Sequence, residues 1–136
     1  MENRGITIRF LPEFGNVDVA RAAVGGACVA AFSGRQAAGR TDEFLLAVTE
    51  AMNNAVEHSG ARLVEIDLLM SPEAVTFRMH TEGDMFDPTK GASMPGMDGD
   101  DAPEGGFGMA LMKELVDRMD YEYKDGRNTL TLEKRF

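Results

Sequence analysis

Thr41 Asp42 Glu43 Phe44 Leu45 Leu46 Ala47 Val48 Thr49 Glu50 Ala51 Met52 Asn53 Asn54 Ala55 Val56 Glu57 His58 is the stretch on which the reading of this chain turns. At about 100° per residue, Phe44, Leu45, Val48, Met52, Ala55 and Val56 fall on one side of a helix. Glu50 and Asn54 fall on the other, with Ala47 and Ala51 beside them. Any surface helix has a polar stripe, but this one holds two adjacent asparagines in mid-helix. Asn is a poor helix former, and a merely solvated face favours Lys, Glu or Ala. A carboxylate followed one turn later by a carboxamide offers a base or water holder beside an oxygen ligand for a hard cation such as magnesium. The small flanking residues leave room for a ligand.

Upstream, Ile6, Ile8 and Phe10 alternate with Thr7 and Arg9 as a strand that ends at Pro12. Asn16 or Asp18 is positioned to cap a helix running to about Phe32, in whose middle Gly25 and Gly26 imply a close contact or a break. Thr41 or Asp42 is positioned to cap the Glu50 helix and Gly60 to end it. Downstream, Val64, Ile66, Leu68 and Met70, then Val75, Phe77 and Met79, have the period of two of a β-hairpin turning at Ser71 Pro72 Glu73.

Between Thr81 and Gly108 lie seven glycines and three prolines with no hydrophobic periodicity. A stretch of this kind inside a compact domain reads as a functional lid, about residues 84–105. Six acids and one base, Lys90, populate it, a field that repels a triphosphate unless magnesium or a basic partner screens it. Helical spacing resumes from Phe107 to Met119, and two strands flank the turn Asp125 Gly126 Arg127 Asn128. The order β α α β β, lid, α β β predicts one α+β domain over 1–136: a two-layer sandwich, a mostly antiparallel sheet with helices on one face.

Composition narrows the function. A net charge of −9 and a pI near 4.6 remove the electrostatic footprint of a nucleic-acid binder. The single cysteine, Cys28, lies among small apolar residues and reads as a core thiol. No stretch approaches the ~20 apolar residues of a membrane span and no signal-peptide pattern opens the chain, so a cytoplasmic location is the expectation. His58 and His80 share no motif that suggests zinc, and Asp98 Gly99 Asp100 Asp101 lacks the spacing of a calcium loop.

Three segments are candidates to converge on one ligand: the Glu50 and Asn54 helix face, Thr81 Glu82 Gly83 Asp84 Met85 Phe86 Asp87 Pro88, and Glu104 Gly105 Gly106 Phe107 Gly108. Glycines ahead of a helix let backbone N–H groups approach a phosphate. In this order the segments resemble the boxes of bacterial anti-sigma-factor serine/threonine kinases, members of the GHKL superfamily with the Bergerat ATP-binding fold. Val48 to His58 resembles their N-box, Phe86 Asp87 Pro88 the end of the first glycine box, Gly105 to Leu111 the second, and Asn128 to Leu132 the strand that closes the pocket.

The resemblance implies that Glu50 is the general base or water-positioning carboxylate and Asn54 the ligand of Mg2+ bridging the phosphates of ATP. It further implies that Gly106 and Gly108 supply phosphate-binding backbone, that Thr81 and Gly83 belong to the first box, and that Thr129 helps hold the adenine. The implied partners are a sigma factor, a STAS-domain antagonist phosphorylated on serine or threonine, and possible second copies of the chain as a homodimer. The chain departs from the pattern at two places of the first box, with Met85 where a glycine or small residue precedes the Phe. Thr81 stands where the family's first box begins with Asp, which leaves open a second reading: a binding module of the same fold with weak or absent nucleotide binding.

Overall fold

The computed structural model describes residues 3–32, 38–87, 110 and 112–136. In chain order the elements are strand β1 (Arg4–Phe10), helix α1 (Phe14–Phe32), helix α2 (Ala38–His58), and strands β2 (Val64–Met70), β3 (Ala74–Glu82), β4 (Arg118–Lys124) and β5 (Arg127–Arg135). Residues 112–115, just ahead of β4, are helical. The strands form one sheet in the order β1-β2-β3-β5-β4, and every neighbouring pair is antiparallel.

Strand periodicity divides the sheet into two faces. Val64, Ile66, Leu68 and Met70 of β2, Val75, Phe77, Met79 and Thr81 of β3, and Asn128, Leu130, Leu132 and Lys134 of β5 are buried on the inner face. Both helices pack there, through Val17, Ala20, Val24, Cys28 and Phe32 of α1 and Phe44, Ala47, Val48, Ala51, Met52 and Ala55 of α2. Phe44 meets Phe77 edge to face at 6.5 Å, and Phe32 stacks on Phe136 at 4.2 Å. This is the α+β sandwich with helices on one face that the element order predicts.

The boundaries differ from the sequence reading in several places, one of them β5, which begins at Arg127, inside the turn expected over 125–128. Helix α1 begins at Phe14, two residues before Asn16 and four before Asp18, and Asn16 lies inside its first turn, where its Nδ2 donates to Leu11 O at 3.0 Å. Helix α2 begins by Ala38, ahead of Thr41 and Asp42, and the extra turn is tied to the sheet by Arg40, whose guanidinium donates to Arg135 O at 3.0 Å. The helix expected to reach Met119 gives way to β4 at Arg118. Lys134 Nζ takes the Leu115 carbonyl at 2.6 Å, and Asp117 N donates to Glu133 O at 2.8 Å, which turns the chain into the sheet.

Two glycine expectations resolve in simple terms. Helix α2 ends at His58, and Gly60 follows with φ +66°, the left-handed conformation that closes a helix at little cost only for glycine. Helix α1 runs unbroken through Gly25 and Gly26: a Cβ on Gly25 would lie 3.3 Å from Leu45 Cδ1 of α2, whereas Gly26 faces open space. Gly25 therefore lets the two helices approach.

Candidate functional site

Helix α2 carries Glu50 and Asn54 at the margin of its buried stripe. Ala47 and Ala51, expected beside a ligand space, are fully buried in the core, so the helix sinks deeper than a two-sided reading implies. Glu50 is half-buried and Asn54, one turn on, is 7% exposed. Asn54 thus stands at the border of the core, where a polar side chain costs stability unless it is bonded.

Strand β3 delivers Thr81 to the same inner face. It follows Val75, Phe77 and Met79 in parity and is 2% exposed. Glu82, the next residue, points to the other face, as strand geometry demands. Directly across the ladder from Thr81 sits Asn128, 4% exposed, with all four hydrogen-bonding positions of its carboxamide engaged. Its Oδ1 accepts from Phe86 N at 2.7 Å and from the Tyr121 hydroxyl; its Nδ2 donates to Thr81 O at 3.2 Å and Asp84 O at 3.0 Å. Gly83, with φ +139°, is locked by Gly83 N donating to Gly126 O and by the Tyr123 hydroxyl donating to Gly83 O, both at 2.9 Å. The β4–β5 hairpin therefore fixes the course of residues 81–86. Burial, with nearby Asp87, pushes the Tyr121 phenol up despite its link to Phe86, so it stays a neutral donor at ordinary pH.

Thr129 is the residue that the fold places elsewhere. Its register partner is His80, and the two face away from the helices, with Thr129 Oγ1 and His80 Nδ1 3.0 Å apart. The inner position belongs to Asn128. Strand parity held the clue, since Asn128 shares the spacing of Leu130 and Leu132, whereas Thr129 is named through the family resemblance. Gly106, Gly108 and the lid from residue 88 onward lie outside the described residues.

On the open face the sheet carries a cross-strand polar network. His80 Nε2 lies 3.0 Å from Asp67 Oδ2, and the Thr7 hydroxyl donates to Asp67 Oδ1 at 2.9 Å. Glu65 binds Arg9 at 2.7 Å and Arg127 at 2.9 Å. Burial alone raises the Asp67 carboxyl, but the Thr7 hydroxyl, His80 and the Arg127 charge together hold it below the usual carboxylate range. Glu65, Asp67 and His80 bring possible ligand atoms within 4.8 Å of one another, yet each already has protein partners. A cleft of about 580 Å³ beside them is lined by Gly60, Arg62, Leu63, Glu82 and Gly83 as well as Glu65, His80 and Arg127.

An antiparallel sheet covered on one face by two helices, with a Glu and an Asn one turn apart at the border of the core, defines a class: residues 14–134 match the Histidine kinase-like ATPase domain, and the chain belongs to that family. It is 33% identical over 92 residues to the serine/threonine-protein kinase BtrW of Bordetella bronchiseptica, an alignment covering 64% of this chain and 65% of that protein. Its fold is similar to a solved structure of the RsbU and RsbW domains of Rv1364c from Mycobacterium tuberculosis, with a TM-score of 0.66 and 17% identity over 97% of this chain. That match spans 32% of the larger chain. Among the described residues, no helix is long and apolar enough to cross a membrane.

Proposed function

We propose that this chain is an anti-sigma-factor type serine/threonine protein kinase that binds Mg-ATP, sequesters a sigma factor and phosphorylates a STAS-domain antagonist. The observation that carries the proposal is the Glu50 and Asn54 pair at the buried margin of α2, within a chain that belongs to the histidine kinase-like ATPase family and resembles a serine/threonine kinase.

The pair suits phosphoryl transfer, where positioning and charge stabilisation do most of the work. A carboxamide oxygen is a fitting donor for Mg2+, which keeps few protein ligands, and Asn54 is the residue proposed to hold it. When bound, the ion supplies neutralisation of the phosphate charge. Glu50 orients the attacking hydroxyl of the substrate and takes its proton on a carboxylate oxygen. Gly106 and Gly108 are proposed to meet the phosphates with backbone N–H groups. Residues 81–86, held by Asn128 and the two tyrosines, form the base end of the pocket.

A second reading, a nucleotide-poor binding module, draws on Thr81: a neutral hydroxyl at the buried position where the resembled family has a carboxylate. Titration with Mg-ATP, followed by transfer of labelled phosphate to a purified STAS-domain protein, separates the two. Saturable binding below millimolar nucleotide and transfer to serine or threonine are expected. Glu50→Gln should slow transfer by about 10²–10⁴-fold while leaving nucleotide affinity nearly unchanged. Absence of saturable binding at millimolar ATP would sink the kinase reading in favour of the binding module.

A further inference from the structure

Strand geometry gathers three metal-ligating side chains on the face of the sheet opposite the helices. Glu65 and Asp67 are two apart on β2, so both point outward, and His80 of β3 is the register partner of Glu65. Their ligand atoms all lie within 4.8 Å of one another, the one such group among the described residues. Each of the three is oriented by a further partner. The Thr7 hydroxyl donates to Asp67 Oδ1, while Asp67 Oδ2 faces His80 Nε2 at 3.0 Å. On the other side of the ring, His80 Nδ1 lies 3.0 Å from Thr129 Oγ1. Arg9 and Arg127 fix the Glu65 carboxylate, whose oxygens each keep a second lone pair. Clefts of about 580 and 630 Å³ both reach His80, so an ion has a path and a water has room beside it.

We infer that Glu65, Asp67 and His80 bind a divalent transition-metal ion of the zinc class. The site lies across the sheet from Glu50 and Asn54 and does not depend on the nucleotide reading. An imidazole with two carboxylates suits Zn2+ and its neighbours, whereas Mg2+ and Ca2+ take oxygen ligands. Zinc bonds of about 2.0–2.2 Å in a tetrahedron set ligand atoms roughly 3.4 Å apart, so His80 and Asp67 need to part by a few tenths of an ångström. With the ion on Nε2, the ring proton sits on Nδ1 and donates to Thr129 Oγ1, the outer hydrogen bond that metal-bound histidines usually make. Water takes the fourth position. The two guanidinium groups oppose a dication and limit its affinity, while the net charge of −9 favours it.

The test titrates the full chain, stripped of metal by chelation, with Zn2+ in calorimetry and with Co2+ followed by visible absorption. One equivalent should bind with a Kd of about 1–10 μM, and Co2+ should give the intense bands of a four-coordinate ion. His80→Gln and, independently, Asp67→Asn should each weaken Zn2+ by about thirtyfold or more, and Thr129→Val, which removes the outer partner, by about tenfold. His58→Gln, at the exposed end of α2, should leave the affinity unchanged, and melting curves without metal check that every variant folds. Cys28 does not compete for the ion, since it is fully buried and burial pushes its thiol up to about 11. Absence of saturable binding at about 100 μM Zn2+ overturns the inference. So does a folded His80→Gln or Asp67→Asn variant that binds as tightly as the parent, which places the ion among other acids of the chain.

Discussion

Asn128 lies directly opposite Thr81 across the β3–β5 ladder and donates from its side chain to the Thr81 carbonyl. One buried carboxamide thereby joins the end of a central strand to the loop that follows it. Replacing it by Ala strands two donors and two acceptors at once. Asn128→Ala should lower unfolding stability by about 3 kcal/mol, read from urea midpoints at constant slope. A loss under 1 kcal/mol would mean that water replaces the carboxamide.

Lys134 plays a similar part at the far end of β5. It is 9% exposed, and its Nζ meets Leu115 O at 2.6 Å and Glu43 Oε1 at 3.1 Å, linking α2 to the helical residues ahead of β4. Lys134→Met keeps much of the apolar stem but leaves the carbonyl without its charged donor. We expect a loss of about 1.5–3 kcal/mol, together with faster amide exchange at residues 112–115. Unchanged exchange there would argue against the capping role.

Gly25 and Gly26 should respond in opposite directions. Gly26→Ala removes backbone freedom from the unfolded chain and meets nothing within 4 Å, so thermal denaturation should show a gain of about 0.5–1 kcal/mol. Gly25→Val drives a branched side chain against Leu45, already 3.3 Å from the position of a Cβ, and should cost about 1–3 kcal/mol. Equal effects at both positions would contradict the close approach of α1 and α2.

The Asp67 carboxyl is held low by the Thr7 hydroxyl, His80 and Arg127 against the upward push of burial. A folded-state value below the unfolded one means that the unfolded chain binds the proton first as pH falls. Stability from this group is therefore present above about pH 4 and is lost as pH falls through the folded value. The carboxylate is partly exposed, so the effect is about 1 kcal/mol. Asp67→Asn should flatten the acid limb of a stability against pH curve while lowering stability at neutral pH. An unaltered acid limb would place the dependence on other carboxylates.

Periodicity made the architecture legible. The alternation in Val64 to Met70 and Val75 to Met79 marks strands buried on one face, and the Gly60 stop is written in the sequence. Boundaries were harder, because Asn16 and Thr41 have cap chemistry but lie inside their helices. Their tertiary partners, such as Arg135 for the first turn of α2, are far away in sequence. At the site, Glu50 and Asn54 were visible as an unusual pair. Asn128 was not, since its importance comes from four partners spread over residues 81–121, and Thr129, named through the family resemblance, has the parity of the outer face.

The sheet order also governs how the chain reaches this state. Both helices lie between β1 and β2 in the chain, and the pairing of these strands joins Arg4 to Met70 and Phe10 to Val64, while β2–β3 and β4–β5 need only short turns. The local hairpins are the expected early structure, and the first seven-residue strand is the last to dock. Substitutions in β1 such as Ile8→Ala should then speed unfolding far more than they slow refolding in stopped-flow measurements. On this expectation the amino-terminal strand acts as a latch on a sheet already assembled.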